Sequence, residues 1–217
     1  MAIIMYNNGN ADQRGRTTMI GMRLLAMGTG YIFGNFLTAD VVAKLCTGKR
    51  AEEIGSGNPG MANIMGHVGK KAGVVVLLGD IVKTLLAFMT AWRLTGAAIN
   101  DAALLWAGMG AVLGHNFPVW NHFRGGKGVT VTCTWLIIYM PLWGTVCCIA
   151  GGVLTLLTGY LPLGAVMIAL FAVPAAFLSK GLEAGICMTV FLLLMISRHY
   201  CGLKRMADKK EKRFFRK

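Results

Sequence analysis

Charged residues are scarce in this chain of 217 residues, and the acidic ones are the scarcest. Only 14% of its residues are charged, whereas a soluble domain carries about 25%. Residues 128–179 contain no Asp, Glu, Lys or Arg, and one membrane-spanning helix needs only about 20 apolar residues. These deficits exclude an ordinary soluble domain and predict an all-α, polytopic integral membrane protein.

Sequence patterns of several enzyme classes are missing as well. The six cysteines form no C-x-x-C pair, and none stands at metal-ligand spacing from a histidine. The chain has no Walker loop, no G-x-S-x-G elbow and no acidic pair suited to glycosidic acid–base chemistry. We therefore expect neither a metal ion nor another cofactor.

Positive charge, in contrast, is abundant and is concentrated at the C-terminus. Lys and Arg number 22 against 9 Asp and Glu, and the formal net charge is +13. A basic tail over residues 201–217 is compatible with nucleic-acid binding, but beside a membrane helix it is more typical of a cytoplasmic anchor that meets anionic headgroups. We therefore expect a lipid bilayer as partner, and no nucleic acid.

Apolar runs separated by glycine, proline or charge predict about seven transmembrane helices. The flanking charges favour an N-terminus outside and a C-terminus in the cytoplasm, and five spans would leave the C-terminus on the same side. Residues 1–18 are predicted to be a disordered polar lead-in, and residues 19–200 a single multi-pass domain in the cell inner (plasma) membrane. The predicted spans cover residues 24–43, 72–92, 102–119, 128–140, 142–158, 163–178 and 182–197.

Three polar islands fall on the predicted cytoplasmic side, at residues 55–63, 114–128 and 198–205. The first has three glycines and a proline within six residues, which forbids a regular helix and allows a turn whose N–H groups form an anion-binding nest. The second places a lysine among three glycines, and the third is basic. Phosphate groups need such N–H donors together with fixed positive charge, so the islands predict a phosphate-binding surface.

Two charges, Asp80 and Lys83, lie inside a predicted span. Charges within a membrane helix are costly and usually pair, and a spacing of three residues allows these two to meet on one helical face. A structural ion pair that fixes helix packing is the favoured interpretation, and a direct catalytic role is the alternative.

The islands resemble the motifs of a known family, the bacterial acyl-phosphate-dependent glycerol-3-phosphate acyltransferases, or PlsY family. Residues 55–63 resemble its first motif, G-S-G-N-x-G-A-T-N-x-x-R, and residues 114–128 its second, G-H-x-F-P-x-F-x-x-F-K-G-G-K-G. Residues 198–205 resemble the third, R-H-R-x-N-I-K-R. The resemblance covers residues 25–206, and three motifs in the same order and separation make it specific.

Membership would imply a seven-helix acyltransferase domain that moves an acyl chain from acyl phosphate to the 1-hydroxyl of glycerol 3-phosphate. The products are lysophosphatidic acid and phosphate, a step of phospholipid biosynthesis. By matching position, the resemblance implies catalytic roles for Lys127, His199 and Ser56. The implied substrate-binding residues are Gly57, Asn58, Gly60, Asn63, His115, Gly125, Gly126, Gly128 and Arg205.

Several positions depart from the family pattern. The arginine that ends the first motif falls on Gly66, and the threonine before Asn63 is Ala62. The asparagine of the third motif falls on Gly202, and the serines of an S-L-A-S stretch fall on Pro162 and Ala165. An inactive or substrate-shifted paralogue on the same scaffold therefore remains an alternative, and a small transporter is a third hypothesis. His122 has no counterpart in the pattern, and we expect it on the surface.

Overall fold

The computed structural model describes residues 2–211 and 213, with side chains from residue 15 onward, and all regular elements in this part are helical. This agrees with the predicted all-α class. Short 3-10 turns lie at Ala51–Glu53 and Val119–Asn121. The α-helices are α1 (Ala2–Gly34), α2 (Thr38–Thr47), α3 (Met61–His67), α4 (Lys70–Ile99), α5 (Ala102–Asn116), α6 (Val129–Tyr139), α7 (Pro141–Thr158), α8 (Leu161–Lys180) and α9 (Leu182–Ala207).

Helix α5 occupies the centre of the fold. It packs against α1, α4, α6 and α9, while α7 lies between α6 and α8, and α8 packs along α9. Buried residues of α5, α6, α8 and α9 form one continuous apolar core, in which Trp135 meets Phe191 edge to face with ring centroids 5.4 Å apart. Because α5 ends at Asn116, this arrangement brings the second polar island to the middle of one end of the bundle.

Helices α1 and α5 approach so closely that only glycine fits between them. Gly30 and Gly34 on α1 and Gly110 and Gly114 on α5 are each four residues apart. A Cβ atom on any of them would lie 1.9 to 2.2 Å from a carbonyl oxygen of the opposite helix. Small residues at this spacing let membrane helices pack backbone to backbone, which compensates for the weak apolar driving force in lipid.

Ion pairs join the helices at the end remote from the second island. The Arg23 guanidinium of α1 donates to both carboxylate oxygens of Glu183 on α9, at 2.6 and 2.8 Å. The Trp106 ring nitrogen of α5 donates to the same carboxylate at 2.7 Å. Lys180 bonds Asp101 at 2.7 Å. The first network ties α1, α5 and α9, so the three helices hold a fixed register at this end.

The first predicted span, residues 24–43, is wrong in its extent. Helix α1 ends at Gly34, and a separate helix α2 begins at Thr38. The Lys83 ammonium of α4 donates to the backbone oxygens of Phe36 at 2.7 Å and Gly34 at 3.4 Å. This cation satisfies carbonyl groups that a continuous helix would have used internally, so the chain turns there.

Other boundaries also differ from the sequence-based ones. Helix α4 runs to Ile99, so the outside loop predicted over residues 93–101 shrinks to Asn100 and Asp101, with Asn100 at a positive φ of 44°. The backbone of residues 2–18 is helical and belongs to α1, where an irregular lead-in was expected. Helix α9 extends to Ala207 and so includes the start of the predicted basic tail.

Four helices of the described chain are long and apolar enough to cross a membrane: α4, α7, α8 and α9. Helices α5 and α6 are shorter, at 15 and 11 residues. An 11-residue helix is only about 16 Å long against a hydrocarbon core of about 30 Å. Large apolar side chains such as Leu157 and Leu178 are 78% and 86% exposed, as expected for surfaces that face lipid.

The α1–α5 contact predicts a large difference between two glycine substitutions. Gly110→Ala should destabilise the protein by about 1–3 kcal/mol, because its Cβ would lie 1.9 Å from a carbonyl oxygen of α1. Gly28→Ala is the matched control, since no atom lies within 4 Å of a Cβ there, and alanine favours a helix by about 0.5–1 kcal/mol. Thermal unfolding in detergent should show a lower Tm for Gly110→Ala only; equal Tm values would contradict this helix contact.

Candidate active site

One cavity of about 760 Å³ opens where the three polar islands meet. Its polar end lies at the ends of α5 and α9, and its apolar end lies between α6, α7 and α8. The predicted site residues that line it come from all three islands. They are Ser56, Asn58, Gly60, Asn63, His115, Lys127, Gly128, His199 and Arg205. Gly57, Gly125 and Gly126 were predicted as well but are not among its lining residues.

The first island folds around the Asn63 side chain. Its amide nitrogen donates to the backbone oxygen of Ile54 at 2.8 Å, and its Oδ1 accepts the backbone N–H of Ser56 at 2.9 Å. Gly55 and Gly57 have positive φ angles of 55° and 72°, which glycine adopts without strain. Asn63 is 5% exposed, and both of its polar ends are already used within the turn. Its evident role is therefore to shape the turn.

The sequence predicted that N–H groups of this turn form an anion-binding nest, but several of them are already hydrogen-bonded within the turn. Those of Ser56, Gly57 and Gly60 already have partners inside the turn. In the described chain, the N–H groups of Met61 and Ala62, at the start of α3, have no partner, and both residues line the cavity. The N–H groups that remain available to a ligand are therefore those at the start of α3, which follows the turn.

The second island is a glycine loop folded back on the end of α5. The N–H groups of Gly125 and Gly126 donate to the backbone oxygens of Asn116 and His115 at 3.1 and 3.0 Å. A Cβ on Gly125 would lie 2.1 Å from the His115 oxygen, so no larger residue fits this fold. Gly128 has a φ of 74° and immediately precedes α6. The two glycines outside the cavity lining thus set the course of the loop that carries Lys127.

Arg198, which was not among the predicted site residues, holds this loop in place. Its guanidinium donates to the backbone oxygens of Gly125 and Gly126 at 2.9 and 3.0 Å, and it stacks 5.0 Å from the centre of the Phe117 ring. The third motif therefore supports the second through a side chain of α9. The position of Arg198 in the third motif is the sequence signal that marks it, but the sequence does not show which backbone oxygens it contacts.

His199, the neighbour of Arg198, faces the cavity from α9 and is 3% exposed. Its Nδ1 lies 3.1 Å from the Met195 backbone oxygen, one helical turn earlier. A carbonyl oxygen only accepts, so Nδ1 carries the hydrogen and Nε2 of the neutral ring is left as an acceptor. This nitrogen can accept a hydroxyl proton.

His115, at the end of α5, is also buried, and its Nδ1 lies 2.8 Å from the Lys83 ammonium. Lys83 in turn bonds Asp80 at 2.8 Å, and Thr38 donates to the same carboxylate oxygen at 3.4 Å. The expected Asp80–Lys83 ion pair is thus present, and it joins α4 to α1, α2 and α5. Asp80 itself reaches the cavity lining.

Lys127 is the cation at the centre of the polar end and is partly buried. Burial lowers the pKa of its ammonium, the Glu211 carboxylate opposes this change, and the guanidinium groups of Arg205 and Arg198 add to it. Glu211 also accepts a 2.6 Å hydrogen bond from Arg205. A bound dianion would restore the charge balance around Lys127.

The segment after α9 contributes two lining residues that were not predicted, Glu211 and Arg213. The backbone turns back after Ala207, with the N–H groups of Lys210 and Glu211 donating to the Arg205 oxygen at 2.7 and 3.1 Å. Arg213 lies over the Tyr160 ring at 5.7 Å. Charge alone does not distinguish these positions from the rest of a basic tail.

The apolar end of the cavity is formed by small and aliphatic side chains of the three adjoining helices. Cys133 of α6, Leu156 of α7 and Ile168 of α8 line it. Gly152 of α7 lines it too, and no atom lies within 4 Å of a Cβ placed there. This end can hold a hydrocarbon chain but no charged group.

His122 and Arg124 are exposed and do not line the cavity, as expected for His122. His67, at the end of α3, does line the cavity. Within the described residues, no group of His, Cys, Asp or Glu is placed to hold a metal ion.

Comparison with known proteins identifies relatives along most of the chain. A family model described as glycerol-3-phosphate acyltransferase matches residues 24–209. Glycerol-3-phosphate acyltransferase 1 of Lactobacillus acidophilus is 38% identical over 179 residues, which cover 82% of this chain and 85% of that protein. The glycerol-3-phosphate acyltransferase of Alkaliphilus metalliredigens is 35% identical over 196 residues, covering 90% and 98%.

A solved structure shares the fold. The crystal structure of PlsY, described as an integral membrane glycerol 3-phosphate acyltransferase in its glycerol 3-phosphate form, superposes with a TM-score of 0.78. It is 26% identical in sequence, and the match covers 88% of this chain and 94% of that one. A lysophosphatidic acid form of PlsY gives a TM-score of 0.75. The protein is therefore an all-helical membrane protein, and the resemblance of its three motifs is confirmed: the chain belongs to the glycerol-3-phosphate acyltransferase family.

Proposed function

We propose that this protein transfers an acyl chain from acyl phosphate to the 1-hydroxyl of glycerol 3-phosphate, giving lysophosphatidic acid and phosphate. The observation that carries this proposal is that one cavity has both a cationic end and an apolar end. Both substrates bear phosphate, and only the donor bears a long hydrocarbon chain. One cavity of this shape binds the two phosphates at Lys127 and Arg205 while the acyl chain lies between α6, α7 and α8.

The reaction needs little from the protein beyond positioning and charge. The 1-hydroxyl oxygen attacks the acyl carbonyl carbon, its proton passes to Nε2 of His199, and the bond from that carbon to the phosphate oxygen breaks. Phosphate is a good leaving group from a mixed anhydride, so holding two anions in line with the carbonyl supplies most of the acceleration. Lys127 stabilises the charge on phosphate, and no cofactor takes part.

The remaining site residues either offer polar or charged groups to phosphate or shape the two loops. Ser56 and Asn58 line the cavity from the first turn, where a hydroxyl and an amide are available to phosphate oxygens. Gly57, Gly60, Gly125, Gly126 and Gly128 allow the two loops to approach each other and the substrate. Arg205 adds a second cation, which Glu211 holds in place when no phosphate is present.

We also propose that the protein spans the cell inner (plasma) membrane with seven embedded helices, its N-terminus outside and its C-terminus in the cytoplasm. Helices α1, α5 and α6 join α4, α7, α8 and α9 to make seven, and the polar end of the cavity then opens to the cytoplasm. In this orientation the cytoplasmic side holds the basic residues between α1 and α4, those of the glycine loop and those of the C-terminal segment, as the positive-inside rule requires. Glycerol 3-phosphate enters from water and the acyl donor from the bilayer.

The direct test is an assay of the purified protein with palmitoyl phosphate and glycerol 3-phosphate. We expect phosphate release together with lysophosphatidic acid, and no comparable product when palmitoyl-CoA or palmitoyl acyl carrier protein replaces the acyl phosphate. Absence of product from every donor, with the protein folded and lipid varied, would support an inactive paralogue. Faster transfer from one of the thioester donors would show that the donor is misassigned.

Lys127→Ala should lower kcat/KM for glycerol 3-phosphate by roughly 10- to 100-fold, because a hydrogen bond to a charged group contributes about 1.5–3 kcal/mol. The matched control is His122→Ala, whose side chain is exposed and outside the cavity; it should change kcat/KM less than about twofold. Thermal unfolding establishes that both variants are folded. Similar losses in the two variants would mean that the phosphate site lies elsewhere.

The lowered pKa of Lys127 predicts a particular pH dependence. The free enzyme loses the Lys127 charge at a lower pH than exposed lysine, so kcat/KM should fall on the alkaline side below the usual lysine pKa of about 10.4. Bound phosphate favours the ammonium, so the fall in kcat should come at higher pH. Lys127→Arg, which stays charged, should remove the alkaline fall in kcat/KM. Rate profiles from about pH 7 to about pH 10 test this, and an unchanged profile in Lys127→Arg would exclude Lys127 as the titrating group.

A further inference from the structure

We infer that Lys83 is a positioning residue that fixes His115 as its Nε2–H tautomer, so that this nitrogen donates a hydrogen bond to a substrate oxygen in the cavity. The inference rests on the proposed function and deepens it. It assigns His115 the role of a fixed donor and denies it the role of a base.

The hydrogen bonds of Lys83 determine the direction of its contact with His115. Lys83 is 4% exposed, and its ammonium has three N–H donors and no acceptor. Three atoms lie at short distance from its Nζ: Asp80 Oδ1 at 2.8 Å, the Phe36 oxygen at 2.7 Å and His115 Nδ1 at 2.8 Å. The Gly34 oxygen lies farther from Nζ, at 3.4 Å. Because an ammonium cannot accept a hydrogen bond, His115 Nδ1 must accept from Lys83.

Lys83 keeps its proton because a neutral Lys83 amine would be energetically costly. A neutral amine there would leave the buried Asp80 carboxylate without its cation, with only the 3.4 Å bond from Thr38 and the more distant His115 ring. Removing one partner of a buried ion pair is strongly unfavourable. With the ammonium retained, the His115 ring is neutral and its hydrogen lies on Nε2.

The Nε2 atom is placed to use that hydrogen in the cavity. It lies beside Gly126, where a Cβ would be only 2.1 Å away, so glycine keeps this nitrogen accessible. Among the described residues Nε2 has no hydrogen-bond partner, although His115 is 3% exposed and lines the cavity. A buried donor requires an acceptor, and an oxygen of the substrate supplies it.

The two cavity histidines then have opposite properties. His199 gives its Nδ1 hydrogen to the Met195 oxygen and presents an accepting Nε2. His115 accepts at Nδ1 and presents a donating Nε2. One ring receives the proton of the attacking hydroxyl, and the other stabilises negative charge on oxygen, either at the acyl carbonyl or at phosphate.

Replacement of each histidine by glutamine distinguishes a hydrogen-bond donor from a base. The amide nitrogen of glutamine reaches the position of a histidine Nε2, so His115→Gln should keep kcat within about fivefold, whereas His115→Ala should lose about 10²- to 10³-fold, as when an oxyanion donor is removed. His199→Gln is the matched control and should be as impaired as His199→Ala, because an amide cannot take up a proton. Loss in kcat would indicate the carbonyl oxygen as acceptor, and loss confined to KM the phosphate. Equal inactivity of His115→Gln and His115→Ala would overturn the donor role.

The tautomer itself is measured by ¹⁵N NMR of the detergent-solubilised protein labelled at histidine. Wild type should show His115 as Nε2–H, as should Lys83→Arg, whose side chain also only donates. The neutral pair Asp80→Asn/Lys83→Met should lose this preference and at least about 10-fold in kcat/KM, with the loss in the same parameter, kcat or KM, as in His115→Ala. Thr84→Val is the control for disturbance of α4, since Thr84 is buried and its hydroxyl only donates to the Asp80 backbone oxygen.

Each outcome has one meaning. An Nδ1–H or doubly protonated His115 in wild type, or full activity of the double variant, overturns the inference. A wild type without acyl transfer contradicts the proposed function, whereas the NMR measurement still decides the tautomer.

Discussion

The buried Lys83 ammonium is the constraint on which both fold and site depend. In a low-dielectric interior this cation must find an acceptor for each N–H, and the acceptors come from three different parts of the chain. The Phe36 oxygen lies between α1 and α2, the Asp80 carboxylate belongs to α4, and the His115 ring stands at the end of α5. The charge that looks most out of place in the sequence therefore joins three helices where the cavity opens.

The cavity offers two different environments, one polar and cationic and one apolar. Phosphate needs donors and positive charge, and a hydrocarbon chain needs a wall without either. Lys127 and Arg205 face one end, and Cys133, Leu156 and Ile168 face the other. Because α6 starts at Val129, just after the lysine and Gly128, the change from polar to apolar takes place within a few residues. In the proposed reaction the acyl carbonyl lies at this boundary, within reach of His199.

Composition and local pattern predicted much of this architecture, and they failed where a contact joins distant residues. The lack of charge over residues 128–179 was enough for the membrane class, and the three motifs indicated the residues that meet in the cavity. The break after Gly34 was missed because hydropathy is continuous there and the cause, Lys83, lies far along the chain. Gly30 and Gly110 are each required by a backbone carbonyl of the opposite helix, which neither helix reveals alone. Asn63 was predicted to hold phosphate, yet its amide is occupied by the turn, and Arg198 was overlooked because its acceptors are backbone oxygens.

The departures from the family pattern are coupled through packing. A Cβ on Gly202 would lie 2.6 Å from Cγ of Pro162, so an asparagine cannot stand beside this proline. The loss of the asparagine and the loss of the serine at position 162 are therefore one change in the contact between α8 and α9. Gly66 differs, since a side chain there would meet open space at the cavity wall. The missing arginine leaves room, while Arg213, beyond the three motifs, lines the same cavity. In this chain the segment that follows α9 thus supplies a cation to the cavity where the first island has none, which suits the proposed binding of phosphate.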